Sequence, residues 1–326
     1  MKRKTRLLIG AAIILPLGLG LWARSAASWR PQKIGTFPNA FLVKDVIHGP
    51  WVYESNNRVL NLENGSQIAI PIDRYQIRVS PDSHSFVVSV EDNLGKIRSF
   101  EWRDCQSGKI LRRLNKLLGH HKVVDFQYSP DGTQLRILMT DGVGIMPLNG
   151  SQASFSPLPI PASDDSQSLS PDGKWVCSVS EYTTSKQITI YDVKTLNVYR
   201  TIHHEHSFAS QSSFSPDSSL LCVEDYDDPL GKGEMCVCDV KSGHKLWNSN
   251  QNYQQTYFEF SPDSQTVLIF DANGSKAPFG LYGARTGKLL REFKFTKLLS
   301  QAAFSSDGDF IFALDINRTV WKIRVR

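Results

Sequence analysis

The sequence contains little that would suit a helical or a disulfide-bonded protein. After residue 30, no segment keeps the apolar spacing of about 3.6 residues that marks an amphipathic helix. The chain has five cysteines, an odd number that does not describe a disulfide framework. The spacing of Cys222, Cys236 and Cys238 would allow a cross-strand bridge, but small buried side chains in stacked strands are favoured. Because the first cysteine is Cys105, a lipid anchor on an N-terminal cysteine is excluded.

Beyond its first residues the chain also lacks an excess of positive charge. The formal net charge of the whole chain is +5. This excess comes entirely from five residues, since no acid occurs in the first 24 positions: Lys2, Arg3, Lys4, Arg6 and Arg24. The remaining residues therefore sum to zero, and the chain lacks the basic surface that nucleic acid binding requires. We expect no nucleic acid partner.

One apolar run stands out at the N-terminus. Residues 7–23 carry no charge and are preceded by the basic cluster at residues 2–6. As a helix the run would span about 26 Å, slightly less than the hydrocarbon core of a bilayer. Because it exceeds the usual apolar region of a cleaved signal peptide, we interpret residues 1–24 as a signal anchor, with cleavage near residues 25–27 as the alternative. Both interpretations place the following domain outside the cytoplasm, in the periplasm or the extracellular space.

The most informative feature that is present is a recurring turn. Ser-Pro-Asp occurs five times, and a sixth, degenerate copy reads Ser305-Ser306-Asp307; the serines of the full copies are Ser80, Ser129, Ser170, Ser215 and Ser261. Consecutive serines are 41 to 49 residues apart, a period typical of repeat architectures. Proline fixes the second position of a type I turn and aspartate suits the third. We therefore interpret the aspartates as turn residues and not as catalytic groups.

Short apolar runs follow each of these turns. They are rich in β-branched and aromatic residues, which predicts strands rather than helices, and they lie at residues 86–90, 135–139, 175–179, 220–223, 267–270 and 310–314. A second turn, in most copies one with glycine, lies about 20 residues further on. Each repeat unit therefore reads as four antiparallel strands.

One unit carries a recognisable lead-in to its turn. Leu118-Gly119-His120 leads through a short strand into Tyr128-Ser129-Pro130-Asp131-Gly132. This stretch resembles the WD-repeat and Pro-Asp-repeat (TolB-like) β-propellers. The acid of the family's Trp-Asp pair is kept only at Asp192 and Asp239, so most of the hydrogen-bonded tetrad of WD repeats is missing. The resemblance covers residues 33–326 and implies that each unit forms one propeller blade.

The number of units sets the expected size of the ring. Six units carry the turn, and residues 41–70 supply one more without it, which predicts seven blades, with six or eight as alternatives. The last unit is one strand short, and an open blade would leave backbone groups unpaired. The segment Lys33–Phe37 is expected to supply this outer strand and close the ring. The predicted fold class is all-β: a seven-bladed β-propeller at residues 33–326, preceded by the apolar helix and a linker at residues 25–32.

The two faces of such a ring differ in what they carry. We name the face with the Ser-Pro-Asp and Gly turns the bottom face. The top face holds the variable loops within units and the connections between units. An outer strand runs from bottom to top, so Lys33 enters at the bottom, and we expect the bottom face to lie toward the bilayer. Because loops on a rigid scaffold usually carry binding, candidate sites are expected on the top face.

Two neighbouring top-face segments contain candidate metal ligands. The connection after the fourth unit and the acidic loop of the fifth unit supply imidazoles and carboxylates, which suit zinc and calcium: His203, His204, His206, Asp225, Asp227 and Asp228. Their spacing matches no zinc or EF-hand motif. A solvated polar loop is therefore favoured and no cofactor is expected, with zinc or calcium as the alternative.

Aromatic residues on the same face suggest a protein partner. Tyr182, Tyr226 and Phe279 fall in or beside top-face loops, and exposed aromatics contribute much of the energy of protein interfaces. Packing over the loop stems is the alternative interpretation. We expect a monomer that binds a protein partner of unknown identity.

Familiar catalytic motifs are absent from the sequence. It has no glycine-rich phosphate loop, no Gly-x-Ser-x-Gly elbow and no spaced pair of carboxylates. The segments at residues 238–247 and 280–289 are similar to strands of quinoprotein dehydrogenases, but only Trp247 fills the expected tryptophan position. The sequence therefore favours a non-catalytic, membrane-anchored interaction scaffold. An exported propeller enzyme, a quinoprotein dehydrogenase or a hydrolase, stays the alternative because acids from several strands can converge in the fold.

Overall fold

A computed structural model describes most of the chain beyond residue 30. The described residues are 31–36, 41–42, 51–54, 58–62, 65, 67–69, 75–82, 84–91, 97–115, 121, 123–129, 131–157, 167–179, 187–195, 197–203, 208–227, 232–249, 256–271, 279–295 and 298–325. The predicted helix of residues 1–24 lies outside them. Within them, no helix has the length and apolar character needed to cross a membrane.

The described strands pair into seven antiparallel sheets of four strands each. Sheet 1 contains β2 (Phe41–Leu42), β3 (Trp51–Glu54), β4 (Arg58–Asn61) and β5 (Gln67–Ala69). Sheet 2 contains β6 (Tyr75–Val79), β7 (Ser85–Glu91), β8 (Ile97–Asp104) and β9 (Ile110–Arg113). Sheet 3 contains β10 (Val123–Tyr128), β11 (Gln134–Met139), β12 (Gly142–Pro147) and β13 (Ser154–Pro157).

The other four sheets follow the same order. Sheet 4 contains β14 (Gln167–Leu169), β15 (Trp175–Val179), β16 (Gln187–Asp192) and β17 (Val198–His203). Sheet 5 contains β18 (Phe208–Phe214), β19 (Leu220–Asp227), β20 (Lys232–Asp239) and β21 (Lys245–Asn248). Sheet 6 contains β22 (Thr256–Phe260), β23 (Thr266–Asp271), β24 (Gly280–Gly283) and β25 (Leu289–Glu292). Sheet 7 contains β26 (Leu299–Phe304), β27 (Phe310–Asp315), β28 (Thr319–Arg324) and, as its outer strand, β1 (Gln32–Thr36).

The first and last strands of the chain lie side by side in sheet 7. β1 pairs antiparallel with β28, with Gln32 opposite Lys322 and Thr36 opposite Thr319. This is the pairing expected of the segment Lys33–Phe37, of which Phe37 lies outside the described residues. First strands of neighbouring sheets also contact each other around the structure: β6 with β10, β10 with β14, β14 with β18, β22 with β26, and β26 with β2. The contact of β26 with β2 joins the last sheet to the first, and the all-β propeller prediction is confirmed.

The hydrophobic core lies between successive sheets. Phe270 and Phe279 of sheet 6, for example, pack with Phe304 and Ile311 of sheet 7 in one buried cluster. Similar clusters join sheet 2 to 3, 3 to 4, 4 to 5 and 5 to 6. Because successive side chains of a strand point to opposite faces of its sheet, sheets 3 to 6 each contribute apolar side chains to two such layers. The core is thus a series of layers that hold neighbouring sheets at fixed positions.

All five cysteines are free and buried. Cys177, Cys236 and Cys238 belong to the cluster between sheets 4 and 5, and Cys222 lies in the cluster between sheets 5 and 6. Burial raises the pKa of the Cys177 thiol to about 12, and that of Cys105 likewise to about 12. The thiols of Cys105 and Cys177 therefore stay protonated and unreactive at neutral pH, as in small apolar core residues.

Candidate functional site

The repeated turns on the bottom face are held by their own side chains. In the turn at Ser215, the buried hydroxyl donates to Asp217 Oδ1 (2.6 Å) and accepts from the backbone N–H of Leu220 (2.9 Å). Asp217 Oδ1 also accepts from the N–H of Ser219 (3.0 Å). The same serine-to-aspartate bond occurs in the other five turns, at Ser80, Ser129, Ser170, Ser261 and Ser305. Turn formation therefore accounts for these aspartates, as predicted.

These hydrogen bonds also fix the charge of the turn aspartates. Donation by the Ser129 hydroxyl and by Thr133 lowers the pKa of Asp131 to about 2. Donation by Ser80 and Ser305 likewise lowers the pKa values of Asp82 and Asp307. A general base works best with a pKa near the operating pH, so these carboxylates are poorly suited to proton transfer.

The bottom-face turns of neighbouring sheets are bonded to one another. Ser218 of sheet 5 accepts a hydrogen bond from the backbone N–H of Asp172 in sheet 4 (3.0 Å). Ser264 of sheet 6 accepts the equivalent bond from Asp217 in sheet 5 (3.0 Å). Both serines have a left-handed backbone, with φ of 61° and 60°, at the position that is glycine in other copies of the turn. Holding a serine there costs about 1–2 kcal/mol, which the bond between sheets offsets.

A second set of contacts between sheets surrounds the glycine turns of the bottom face. Trp247 of sheet 5 donates its indole N–H to the carbonyl of Ala284 in sheet 6 (2.7 Å) and covers Gly287. Arg200 of sheet 4 covers Gly243 of sheet 5 in the same way. The described bottom-face turns thus serve largely to join neighbouring sheets.

The described top-face loop of sheet 7 is built around one carboxylate. Asp315, at the end of β27, is 1% exposed. Its Oδ1 accepts from the backbone N–H groups of Asn317 (2.8 Å) and Thr319 (2.9 Å), and its Oδ2 accepts from the indole N–H of Trp321 (3.0 Å). The carbonyl of Asp315 accepts from the N–H of Arg318, which has a left-handed φ of 61°. Asn317 and Arg318, two of the three residues between β27 and β28, are therefore held by hydrogen bonds to Asp315.

Ile316 of that loop and Leu298 of the neighbouring connection form an apolar patch, which we name the top-face patch. The side chains are 55% and 45% exposed. The backbone N–H of Ile316 donates to the carbonyl of Leu298 (3.0 Å), which holds the two segments together. Below them, Phe295 packs edge-on against Trp321 with ring centroids 5.5 Å apart. The patch therefore combines exposed apolar side chains with a fixed backbone.

A second described cluster lies on the top face of sheet 3. His121 Nδ1 lies 2.6 Å from Asp141 Oδ2, and the imidazole stacks on Phe155 with ring centroids 4.5 Å apart. His121 precedes β10 and Asp141 lies in the loop between β11 and β12, so their contact agrees with the assignment of both segments to one face. The predicted lead-in residue His120 lies outside the described residues, and its neighbour His121 makes the contact to the loop.

The candidate metal ligands are only partly described. His203 ends β17 and is exposed, while Asp225 and Asp227 lie on β19, where Asp227 is opposite Lys232. The acidic segment predicted as a loop is thus a strand as far as Asp227. The described part of the chain does not include the side chains of Asp225 and Asp227 or any atom of His204, His206 and Asp228. Among the side chains that are described, no three His, Cys, Asp or Glu residues come together as a metal site.

The three aromatic candidates have different positions. Phe279 is only 7% exposed, and its ring packs against Phe293 with centroids 4.9 Å apart in the layer between sheets 6 and 7. Its predicted exposure is therefore wrong, because core packing takes the ring away from solvent, as in the alternative interpretation of packing over the loop stems. Tyr226 lies on β19 opposite Gly233, with its side chain outside the description. Tyr182 is not among the described residues.

One buried cluster of charges occurs in sheet 2. Glu101 is 4% exposed, and its Oε2 accepts from Arg103 Nε (2.8 Å). Arg113 Nη1 lies 3.1 Å from the other carboxylate oxygen. Burial raises the pKa of Glu101, but the hydrogen bond from Arg103 and the positive charges of Arg103 and Arg113 hold it below its usual value. A buried carboxylate paired in this way is a structural ion pair, because its charge is already neutralised.

The top-face patch was not predicted from the sequence. The segment Asp315-Ile316-Asn317-Arg318-Thr319 has the composition of an Asx turn between two strands, which would have predicted its backbone. The exposure of Ile316 had no such signal. An isoleucine next to a strand is usually interpreted as a core residue. Only the packing of the neighbouring connection shows that Ile316 is exposed.

Comparison with known proteins identifies the fold. No protein-family model matches the chain, and no curated protein sequence matches it. Among solved structures, it is similar to the crystal structure of the Cps50 (Swd1) β-propeller domain of Myceliophteria thermophila, with a TM-score of 0.64 and 11% sequence identity. The match covers 91% of this chain and 100% of that chain. At this identity the likeness establishes a β-propeller and nothing further about function.

Proposed function

We propose that this chain is an exported, membrane-anchored β-propeller that acts as a non-catalytic protein-interaction scaffold. In this proposal residues 7–23 span the membrane, the seven sheets are the blades of one ring, and the top face binds the partner. The propeller fold supports the role, because it presents loops on a rigid frame. The charge pattern and uncharged length of the N-terminal run support the anchor.

The top-face patch is the observation that carries the proposal. Ile316 and Leu298 are large, apolar and about half exposed, yet the backbone that holds them is fixed by Asp315. A preorganised loop loses little conformational entropy when it binds, so most of the free energy of burying these side chains contributes to affinity. A protein surface with a complementary apolar pocket is therefore the expected partner.

Metal binding stays the second candidate. The exposed His203 at the end of sheet 4 and the acidic end of β19 in sheet 5 belong to neighbouring sheets. Calorimetric titration of the chain in detergent with Zn²⁺ and with Ca²⁺ tests this candidate. Absence of heat with both ions rejects it, whereas a signal that is lost in His203→Ala supports it.

Site-specific crosslinking tests the scaffold proposal. A photo-crosslinking amino acid is placed in the full chain at Ile316, at Leu298 or, as the control, at Leu111 on the outer strand of sheet 2. We expect the same crosslinked protein at positions 316 and 298 in the native membrane, and its loss when the other patch residue is changed to Asp. A crosslink of equal yield at position 111, or one that persists in the Asp variants, would contradict the proposed use of the top face.

A further inference from the structure

Exposed apolar side chains are concentrated on the outer strands of the sheets. Outside the top-face patch, each of the large apolar residues that stand out as exposed among the described residues lies on a fourth strand: Ile34, Ile110, Leu111, Phe155, Val198, Leu246, Leu289 and Leu290. Single exposed apolar residues are normal on protein surfaces. Their restriction to one type of strand indicates a common structural cause.

The common cause is the outer position of these strands, and in four of them an exposed residue is also the extra residue of a β-bulge. In β25 the paired residues are Leu289 and Arg291, so the extra residue Leu290 has no partner on β24. The same irregularity leaves Leu111 unpaired in β9, Leu246 in β21 and Ile34 in β1. A bulge twists the strand and blunts the edge against the addition of another strand. The bulges therefore offer apolar side chains, and not backbone groups, to a binding partner.

The bulges of sheets 6 and 7 lie on adjoining parts of the rim. Arg291 of β25 donates from Nη1 to the carbonyl of Val325, just after β28 (2.6 Å), and Phe293 packs in one cluster with Ile323. β1 is the next strand outward from β28, so Ile34 lies on the outer strand of the sheet that adjoins sheet 6, opposite the segment Val320–Trp321. The exposed residues Lys33 and Lys288 flank these apolar residues. We name Lys33, Ile34, Lys288, Leu289 and Leu290 the rim patch.

The path of the chain indicates what covers the rim patch. Residues 24–31 separate the apolar run from β1, and eight extended residues reach at most about 29 Å. Leu289 follows the Gly287 turn, which lies on the bottom face. The chain enters β1 from the same face. If residues 7–23 cross a bilayer, the rim patch is therefore the described apolar surface nearest to the point where the chain leaves the membrane.

We propose that the rim patch contacts the bilayer, with the leucines and Ile34 at the level of the upper acyl chains and the two lysines at anionic headgroups. Apolar side chains flanked by cations suit a lipid surface, which offers both an apolar interior and negative charge. The inference rests on the proposed membrane anchor and adds which side of the propeller faces the lipid. It also tilts the ring, so that the bottom edge of sheets 6 and 7 is closer to the membrane than that of sheet 2.

Sheet 2 provides a matched control within the same chain. Gly108-Lys109-Ile110-Leu111-Arg112 of sheet 2 repeats the pattern Gly287-Lys288-Leu289-Leu290-Arg291 of sheet 6. Leu111 and Leu290 are both bulged and have similar exposure, 50% and 56%. Sheet 2 is separated from sheet 6 by two sheets on one side of the ring and three on the other. A difference between the two leucines would therefore report position relative to the membrane and not local structure.

Depth-dependent quenching tests the proposal on the full chain. Ile34→Cys, Leu290→Cys and Leu111→Cys are each labelled with a fluorophore and reconstituted into phosphatidylcholine vesicles with one quarter phosphatidylglycerol and brominated acyl chains. The five native thiols are buried, so the added cysteine is the one that reacts. We expect quenching at positions 34 and 290 to be at least twofold stronger than at position 111. Lys288→Glu should weaken quenching at position 34, whereas Lys109→Glu should leave it unchanged.

Other outcomes overturn the proposal in distinguishable ways. If the chain floats with the vesicles but all three positions are quenched equally or not at all, the anchor stands and the rim contact is wrong. If the chain does not float with the vesicles, the membrane anchor itself is wrong and the rim contact fails with it. If the Leu290 label is shielded without lipid and light scattering shows a doubled mass, the rim patch binds a second copy of the chain instead.

Discussion

Similar polar residues have different structural roles on the bottom and top faces of this propeller. On the bottom face, Ser218 and Ser264 accept hydrogen bonds from the backbone of the preceding sheet. On the top face of sheet 7, Asp315 bonds only to groups within its own sheet. Polar groups that bond across sheets join the ring together, whereas polar groups that bond within one loop fix that loop and leave its apolar residue exposed. The face with the strongest sequence signal is thus the structural one, and the face with the weaker signal offers the exposed surface.

Removal of the Asp315 carboxylate should have the largest effect on the free energy of unfolding. It tests whether the top-face loop is held as firmly as the bottom-face turns. Asp315→Ala leaves two backbone N–H groups and one indole N–H without their acceptor. Each buried unsatisfied group costs about 1–3 kcal/mol, so we expect a loss of about 3 kcal/mol or more in chemical denaturation. Asp315→Asn keeps the shape and should cost about 1 kcal/mol. Equal, small losses in both variants would show that this loop is not a structural element.

The next largest loss of stability should come from adding a side-chain atom at Gly287, where sheets 5 and 6 are in contact. A Cβ at this position would lie 2.6 Å from the Trp247 ring, and the residue has a φ of 64°. We expect Gly287→Ala to lower the free energy of unfolding by about 2–4 kcal/mol, from overpacking and the left-handed backbone together. Gly150 is the control, because its φ is 92° but nothing lies within 4 Å of the added atom. Gly150→Ala should cost only about 1–2 kcal/mol, and equal losses would show that the contact between sheets contributes nothing.

Local chemistry explains how much of the fold the sequence predicted. The Ser-Pro-Asp turns and the strands after them were correct because their hydrogen bonds join residues at most five positions apart, as between Ser215 and Leu220. The run predicted at residues 175–179 is β15, with the same bounds. The outer strand β1 was predicted because the last unit lacked a strand, although its partner β28 lies almost 300 residues away.

The errors and omissions arose where distant packing decides the outcome. Phe279 was predicted to be exposed, but its burial depends on sheet 7, which no local pattern describes. The acidic segment was predicted to be a loop, yet pairing with β20 extends β19 to Asp227. The exposure of Ile316 and of the bulged residues likewise depends on neighbouring strands. The sequence therefore predicted the strands and turns of the propeller and did not predict which side chains are exposed on its surface.

Acid should weaken the bottom face through its turn aspartates. The pKa of Asp131 is about 2, and those of Asp82 and Asp307 are also lowered, in each case mainly by a serine donor. Because the folded pKa lies below the unfolded value of about 3.9, the stabilisation is complete above that value and is lost as the pH falls toward 2. We expect the urea midpoint to be constant from pH 7 to 5 and to fall below pH 4. Asp131→Asn should make the fall shallower, and a flat profile down to pH 2 would show that these bonds do not contribute.

A smaller effect should separate the two roles of Ser218 on the bottom face. Ser218→Ala loses the bond from Asp172 but keeps the left-handed backbone, so we expect a loss of about 1 kcal/mol. Ser218→Gly loses the same bond and relieves the backbone, so the two changes should nearly cancel. Thermal unfolding of both variants measures the difference. If the Ala variant is as stable as the wild-type chain, the hydroxyl is not needed at this position. If the Ala variant is as stable as the Gly variant, the left-handed backbone carries no cost for a residue with a side chain.

The smallest effect on stability should come from the top-face patch, and it completes the contrast between the two faces. Ile316 is 55% exposed and its side chain is not part of a described core cluster, so Ile316→Ser should change the free energy of unfolding by less than about 0.5 kcal/mol. The same variant should reduce crosslinking of the partner at position 298 at least tenfold, because the apolar contact is lost. Leu111→Ser on the rim of sheet 2 should alter neither stability nor crosslinking. If Ile316→Ser destabilises the chain as much as Gly287→Ala, the isoleucine is a structural residue, and the division between a structural bottom face and a binding top face is wrong.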